Sequence, residues 1–303
     1  MRIVIAGASG FLGSHLVPHL RQQGHAVTQL VRRAPSAPDE AQWDPYAADV
    51  DQDLIDRADV VINLAGSPLI GNPHSKKWAS ELVESRVTTT RLLADRIAEA
   101  HRGGRGTPAY LAGNGISIYG DHGDQPVTED TESRGDALLT AVTRLWEDAT
   151  APAQESGARV VVLRTAPVID KSHPPLKPML LPFRLGLGAR LGDGSQHFPI
   201  ISLRDWVGAV THLAEHETAS GPFNLCCPET PTNADYTCVV AKSVGRRARL
   251  AVPAFVLDKA AGPMSPEVLG SVRAVPEALI ETGYDFADHD VRDVVATALS
   301  AQN

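Results

Sequence analysis

Seven residues near the amino terminus, Gly7-Ala8-Ser9-Gly10-Phe11-Leu12-Gly13, have the composition of an anion-binding turn. They follow a short apolar run, Arg2–Ala6, and precede a segment with helical spacing in Leu12, Leu16 and Leu20. Glycines so placed let backbone approach a phosphate, and the helix that follows offers unpaired N–H groups and positive potential. Gly7 is expected to make the tight turn, Gly10 the close approach and Gly13 the contact of helix with strand. Ser9, Phe11 and Leu12 complete the loop around the pyrophosphate of a dinucleotide.

The end of the next strand selects among dinucleotides. An acidic residue there would bond both ribose hydroxyls of an adenosine. This chain reads Leu30-Val31-Arg32-Arg33 instead. A guanidinium matches a 2′-phosphate in shape and charge, so the expected cofactor is NADP, held through Arg32 and Arg33.

Alternating elements are required to position these groups. His25–Val31 and Asp59–Leu64 read as strands, the latter a continuous apolar run suited to burial on both faces. Leu82–Ala100 reads as a long helix, Pro108–Ala112 as a strand, Asp136–Glu155 as a helix and Arg159–Leu163 as a strand. Strands separated by helices imply right-handed β-α-β units, hence an α/β fold with a doubly wound parallel Rossmann sheet. After Arg164 the texture changes to Pro167, Pro174, Pro175, Pro178 and Pro182, then Gly186, Gly188, Gly192 and Gly194. A second, smaller α+β substrate domain is placed there. The expected division is 1–165, with 202–227 returning to it, against 166–201 and 228–303.

Composition narrows the function classes. The chain has 303 residues, 43% hydrophobic and 21% charged, with a formal net charge of −8. That balance argues against a nucleic-acid partner. No apolar run reaches bilayer length, and MRIVIAGASG lacks the order of a signal peptide. Cys226, Cys227 and Cys238 form neither a Cys-x-x-Cys pair nor a disulfide framework. A cytoplasmic monomer or homodimer acting on a small molecule is expected, with no membrane partner.

Further motifs carry a resemblance. Asn63-Leu64-Ala65-Gly66 is followed in order by Ser85-Arg86, Thr89-Thr90, Ile118-Tyr119-Gly120, Trp146-Glu147 and Arg164-Thr165. Then come Gly186-Leu187-Gly188, Leu191-Gly192-Asp193-Gly194-Ser195-Gln196, Ile201-Ser202-Leu203-Arg204-Asp205, Val252-Pro253-Ala254-Phe255, Pro276 and Gly283-Tyr284-Asp285-Phe286. This set resembles the extended short-chain dehydrogenase/reductase superfamily, in its epimerase-like subfamily, also labelled nucleoside-diphosphate-sugar epimerase. The resemblance covers nearly the whole chain and includes a small C-terminal domain of unassigned role. It implies that Leu64, Ala65, Gly66 and Arg86 also meet the cofactor.

The chain departs from the superfamily where a proton must move. A serine after the fifth main strand and a helical Tyr-x-x-x-Lys pair are usual there. Here Asn114 stands at the serine position, with Ser117 offset. Counting back from Trp146-Glu147 puts Leu139 and Thr143 at the tyrosine and lysine positions. Tyr119 is the nearest substitute phenol, or else a pocket-wall aromatic. Asn114 either orients a carbonyl or ties a loop; it cannot act as a base. His122, between Asp121 and Asp124, is a residue type used for proton transfer but reads as an exposed turn. Arg164, Arg184, Arg190 and Gln196 are the candidate contacts to an anionic or sugar-nucleotide substrate. His212-Leu213-Ala214-Glu215-His216 matches a zinc-peptidase pattern by chance, and no metal is expected. Two function classes stay open: an NADP-dependent reductase or epimerase, and a redox-inactive NADP-binding regulator.

Overall fold

A computed structural model describes residues 1–69 and 71–300. Strand β1 (Arg2–Ala6) runs into helix α1 (Phe11–Gln22), then β2 (Ala26–Val31), β3 (Glu40–Asp44) and the short β4 (Asp49–Val50). Helix α2 (Gln52–Asp56) is capped by the Asp51 carboxylate, which accepts from the Asp53 N–H. Strand β5 (Val60–Asn63) is buried along its whole length, as a central parallel strand must be. Helix α3 (Lys76–Arg102) starts six residues before the expected Leu82, because the Ser75 hydroxyl accepts from the Trp78 N–H and caps it there. The run continues through β6 (Ala109–Gly115), β7 (Pro126–Val127), α4 (Leu138–Asp148), α5 (Ala151–Glu155) and β8 (Val160–Thr165). The expected helix Asp136–Glu155 is thus two helices. Pro152, in the first turn of α5, lacks an N–H and cannot continue a helical ladder.

The remainder comprises β9 (Val168–Ile169), α6 (Leu176–Arg184), β10 (Ala189–Leu191), β11 (Ile201–Ser202), α7 (Leu203–Glu215) and β12 (Gly221–Leu225). Next come α8 (Asn233–Ser243), β13 (Leu250–Val252), α9 (Ala254–Ala261), α10 (Ser265–Leu269), β14 (Arg273–Ala274), α11 (Glu277–Glu281) and α12 (Val291–Ser300). A reciprocal capping box of Thr232 and Asp235 starts α8.

Eight strands form one sheet in the order β12-β8-β6-β5-β1-β2-β3-β4. From β1 the chain winds outward through β2 and β3, then returns to the other side through β5, β6 and β8. This is the doubly wound Rossmann arrangement. The pairs β1/β2, β1/β5, β2/β3 and β5/β6 are parallel, while β4 pairs antiparallel with β3. The register sets Ala6 opposite Leu30 and Asn63, and Asn63 opposite Ala112. The carboxyl ends of β1, β2, β5 and β6 therefore lie in one row.

The chain divides into two compact units. The first is Met1–Asn114, Val142–Leu163 and Val210–Pro222. Its core packs Val4, Ala6, Leu30, Trp43 and Val61 from the sheet against Leu93 and Ile97 of α3. The second unit takes Gly115–Ala141, Arg164–Ala209 and the chain from Phe223 onward. The segment 115–141, which the sequence suggested would belong to the first part, groups with it. Ile169, Leu176, Leu180, Phe183, Tyr236, Val240 and Val295 build its separate core. The last three residues of the expected second domain, 301–303, lie outside the described residues.

Candidate functional site

The turn between β1 and α1 is shaped by contacts that no side chain could share. Gly7 has φ +81°, and a Cβ on it would lie 2.5 Å from the Leu64 carbonyl carbon. A Cβ on Gly13 would lie 2.4 Å from the Gly7 oxygen and 2.6 Å from Ala8 Cα, so Gly13 packs the helix on the turn rather than on the strand. Gly10 differs: its Cβ would meet only the Gly7 oxygen, at 3.3 Å. Gly10 is the N-cap of α1 and brings no capping side chain, and the first turn holds no acid. Ser9 and Gly10 are exposed, and Phe11 and Leu12 half-buried. An uncapped N-terminus of a twelve-residue helix, reached through a glycine turn, fits a nucleotide diphosphate.

At the end of β2 the two arginines differ. Arg33 Nη1 donates to Glu40 Oε2 at 2.8 Å, and Nη2 donates to Oε1. The Ser36 N–H and hydroxyl also reach Oε2, at 2.6 and 3.0 Å. Hydrogen bonding from Arg33, then from the Ser36 N–H, pulls the Glu40 pKa down to about 2. Arg32 is exposed and has no charged partner among the described residues. Only Arg32 is therefore free to meet an added phosphate without giving up an existing pair.

The β5 end is fixed from beneath. Buried Asn63 donates from Nδ2 to Thr90 Oγ1 at 2.9 Å, and its Oδ1 accepts from the Ala65 N–H at 3.0 Å. These bonds shape the loop Leu64-Ala65-Gly66, of which Gly66 is exposed. Arg86, expected on the cofactor, is buried below that loop. It donates to the carbonyls of Ser67 at 3.0 Å and Leu82 at 3.2 Å, with its Cζ 5.1 Å from the Trp146 ring centroid. Burial pulls its pKa down to about 10, so it stays charged near neutrality. Its observed work is to clamp the loop.

The two expected proton-handling residues are engaged elsewhere. Asn114 is buried and donates from Nδ2 to the Thr143 carbonyl at 3.2 Å and to Glu147 Oε2 at 3.1 Å. It ties the end of β6 to α4. Tyr119 is 0% exposed, which denies it contact with a substrate. Its hydroxyl donates to Asn224 Oδ1 at 2.7 Å and accepts from Arg164 Nη1 at 2.9 Å. Burial pushes its pKa up to about 12, the wrong direction for a base at neutral pH. The proposal of Tyr119 as acid/base is corrected on these grounds.

Of the four expected substrate contacts, two are internal. Arg164 is buried and donates to Tyr119 and to the Glu129 carbonyl at 2.9 Å. Gln196 is buried and donates from Nε2 to the carbonyls of Leu191 and Val268, at 3.1 and 3.2 Å. Arg184, at the end of α6, and Arg190, on β10, are exposed. In the His212–His216 pattern, Glu215 Oε1 accepts from His25 Nε2 at 2.9 Å. Among the described residues, no group of three or more His, Cys, Asp or Glu is placed to hold a metal. No helix among them is long and apolar enough to cross a membrane.

Sequence reading overlooked two carboxyls, Glu129 and Glu267, and saw Asp205 only as a motif residue three after Ser202. Glu129 accepts the Asn224 N–H at 2.8 Å and the Ala278 N–H at 3.3 Å. Asp205 accepts the N–H groups of Ala287 and Asp288, at 2.9 and 2.8 Å, and joins the Ser202 and Tyr284 motifs. Glu267 accepts the Leu139 N–H at 3.0 Å, at the start of α4. Apart from the Ser202–Asp205 bond, three residues apart, no local spacing signals these bonds, which span tens of residues or more.

The fold and the glycine turn together define a Rossmann-fold protein of the short-chain dehydrogenase/reductase type. The chain belongs to the NAD dependent epimerase/dehydratase family, whose pattern residues 3–226 match; residues 252–298 match a domain of unknown function, DUF1731. An epimerase family protein of Mycobacterium leprae is 34% identical, covering 99% of this chain and 97% of its own. The human epimerase family protein SDR39U1 is 32% identical, with 95% and 96% covered. A crystal structure of that human protein with NADPH superposes with a TM-score of 0.87 at 29% identity, covering 99% of this chain and all of the other. A nucleoside-diphosphate sugar epimerase from Corynebacterium glutamicum gives a TM-score of 0.79 at 32% identity; this chain covers 58% of it.

Proposed function

We propose that this chain is an NADP-dependent oxidoreductase or epimerase acting on a small polar, sugar-nucleotide-like substrate. The observation that carries the cofactor choice is the exposed, unpaired guanidinium of Arg32 at the end of β2. The NADPH in the human relative's crystal supports the same choice. Gly7, Ser9, Gly10, Phe11, Leu12 and Gly13 would cradle the pyrophosphate, with backbone N–H groups as donors. Arg32 would take the 2′-phosphate, and Arg33 would hold the loop through Glu40. Leu64, Ala65 and Gly66 would face the dinucleotide, with Arg86 securing them from below. Bound, the nicotinamide would supply or accept the reducing equivalent. Arg184 and Arg190 are exposed cations of the second unit and would suit an anionic substrate group.

The buried, occupied states of Asn114 and Tyr119 favour a second reading, a redox-inactive NADP(H) sensor. One experiment separates the two. NADPH and NADH are titrated calorimetrically, and the NADPH complex is then offered carbonyl compounds and sugar nucleotides, with products analysed as well as absorbance. Preference for NADPH with turnover or epimerised product supports the enzyme. NADPH binding with neither supports the sensor, and equal affinity for both cofactors overturns the cofactor assignment.

A further inference from the structure

Two stretches of the second unit are free of acid. Residues 171–192 carry four Lys or Arg and no Asp or Glu, and residues 236–257 carry four and none, in a chain whose formal net charge is −8. The fold brings the two stretches together. Helix α8 is followed by Gly245, whose φ of +71° lets the Arg246 N–H return to the Ala241 carbonyl at 2.8 Å. Arg246 Nε then donates at 2.9 Å to the carbonyl of Arg184, the last residue of α6. Strand β13 pairs with β10, which sets Leu250 opposite Ala189.

The joined region is apolar on its solvent side. Leu181, Leu185, Leu187, Leu250 and Phe255 are each between 47 and 74% exposed. No residue of α9, which begins at Ala254, is buried. Single apolar side chains on a surface need no explanation, but a group of them rimmed by polar residues marks a contact site. Here the rim is cationic. Arg246, Arg247 and Arg249 are exposed and have no carboxylate partner among the described residues. The carboxylates that bound the two stretches are engaged within their own segments. Asp170 accepts the Ser172 N–H at 2.7 Å and Asp193 the Ser195 N–H at 2.9 Å. Asp235 accepts the Thr232 N–H at 3.2 Å in the cap of α8, and Asp258 accepts the Ser265 hydroxyl.

We propose that this region of the second unit docks on an anionic lipid surface, its leucines and Phe255 entering the boundary of headgroups and acyl chains, with Arg246, Arg247 and Arg249 on the lipid phosphates. The proposal is independent of the cofactor and enzyme readings, and it does not need Arg184 or Arg190, the cations offered to a substrate. Charge complementarity names the occupant. A nucleic acid would answer the arginines and leave the leucines in water. A second copy presenting the same region would set arginine against arginine. Apolar side chains spread over α6, the turn after it, β13 and α9 suit a fluid partner of no fixed shape. The expected lack of a membrane partner rests on span length and summed charge. Those bear on crossing a bilayer, not on lying against one.

The test floats the full chain with vesicles of phosphatidylcholine alone, or of phosphatidylcholine with an equal part of phosphatidylglycerol. The wild type should rise with the mixed vesicles and not with phosphatidylcholine alone. Arg246→Gln, Arg247→Gln and Arg249→Gln combined should weaken that binding on the order of 10²-fold. Leu185→Ser with Phe255→Ser should weaken it about tenfold or more. All five positions are exposed, so melting temperature and NADPH affinity should stay at wild type in both variants, which separates lost docking from lost folding. Equal binding to the two vesicles, binding to neither, or mixed-vesicle binding that both variants keep overturns the proposal. Loss in the arginine variant alone overturns it too, because a surface held by charge only does not use the leucines. A wild type that ignores vesicles but dimerises through Phe255 gives the region to a second copy instead. One that ignores vesicles but binds poly-glutamate gives it to an acidic chain.

Discussion

Arg33 and Glu40 form a two-point pair, Nη1 to Oε2 at 2.8 Å with Nη2 on Oε1, and this pair leaves the neighbouring Arg32 as the uncommitted cation at the end of β2. The two arginines therefore predict different phenotypes. Arg32→Ala should weaken NADPH by about 1.5–3 kcal/mol, the cost of losing a charge-assisted contact, with NADH affinity barely changed. Arg33→Ala should weaken both cofactors by smaller and similar amounts, because it frees the loop rather than the phosphate. Calorimetry with both cofactors on both variants checks this. A larger selective loss in Arg33→Ala would reverse the assignment.

The same pair has a pH signature. Glu40 is more acidic folded than its ordinary value, so the folded state binds fewer protons than the unfolded state between those limits. Its stabilising contribution is present above about pH 4.5 and fades as the pH falls toward about 2. Glu40→Gln should melt below wild type at pH 7, and the gap should close on acidification through that window. A gap that widens toward acid would mean that the carboxylate is not the stabilising form.

Tyr119 was legible as a residue of interest but not as to what it does. Its phenol closes a buried chain with Arg164 and Asn224, whose side-chain Nδ2 in turn donates to the Val275 carbonyl at 2.9 Å. Tyr119→Phe should lower stability by about 1–3 kcal/mol through unpaired buried groups, and leave NADPH affinity unchanged. Chemical denaturation and calorimetry check both halves. An unchanged midpoint would remove the phenol from the fold's support.

What could be read from residue order was local. The glycine turn, the buried run of β5 and the two arginines after β2 are short-range patterns, and the doubly wound sheet follows from their alternation. What escaped was long-range or directional. Strand β3 carries Glu40, Ala41 and Trp43 among polar neighbours, and its pairing with β2 is invisible without the fold. Arg164 and Gln196 looked like ligand contacts by type and Arg86 by resemblance, but burial turned each guanidinium or amide toward main-chain carbonyls. A sequence names a donor; only packing decides where it points. Glu267 was missed for the converse reason, since its partners Ser117 and Leu139 lie more than a hundred residues away.

The glycines of the turn supply the sharpest separation of binding from folding. A Cβ on Gly13 collides with backbone of the turn, Gly7 and Ala8, at 2.4 and 2.6 Å, atoms that cannot step aside without moving the turn against α1. Gly13→Val should therefore lower the melting temperature sharply and lose cofactor binding only as a consequence. A Cβ on Gly10 meets one oxygen at 3.3 Å, a contact relieved by a few tenths of an ångström, and Gly10 has an extended φ of −73° that any residue adopts. Gly10→Val should fold with a near-native far-UV spectrum and melt close to wild type. Its branched side chain would instead fill the space before the α1 N–H groups, so NADPH binding should fall below detection. Melting curves and calorimetry on the two variants decide the matter. Retained NADPH affinity in a folded Gly10→Val protein would place the pyrophosphate away from this turn.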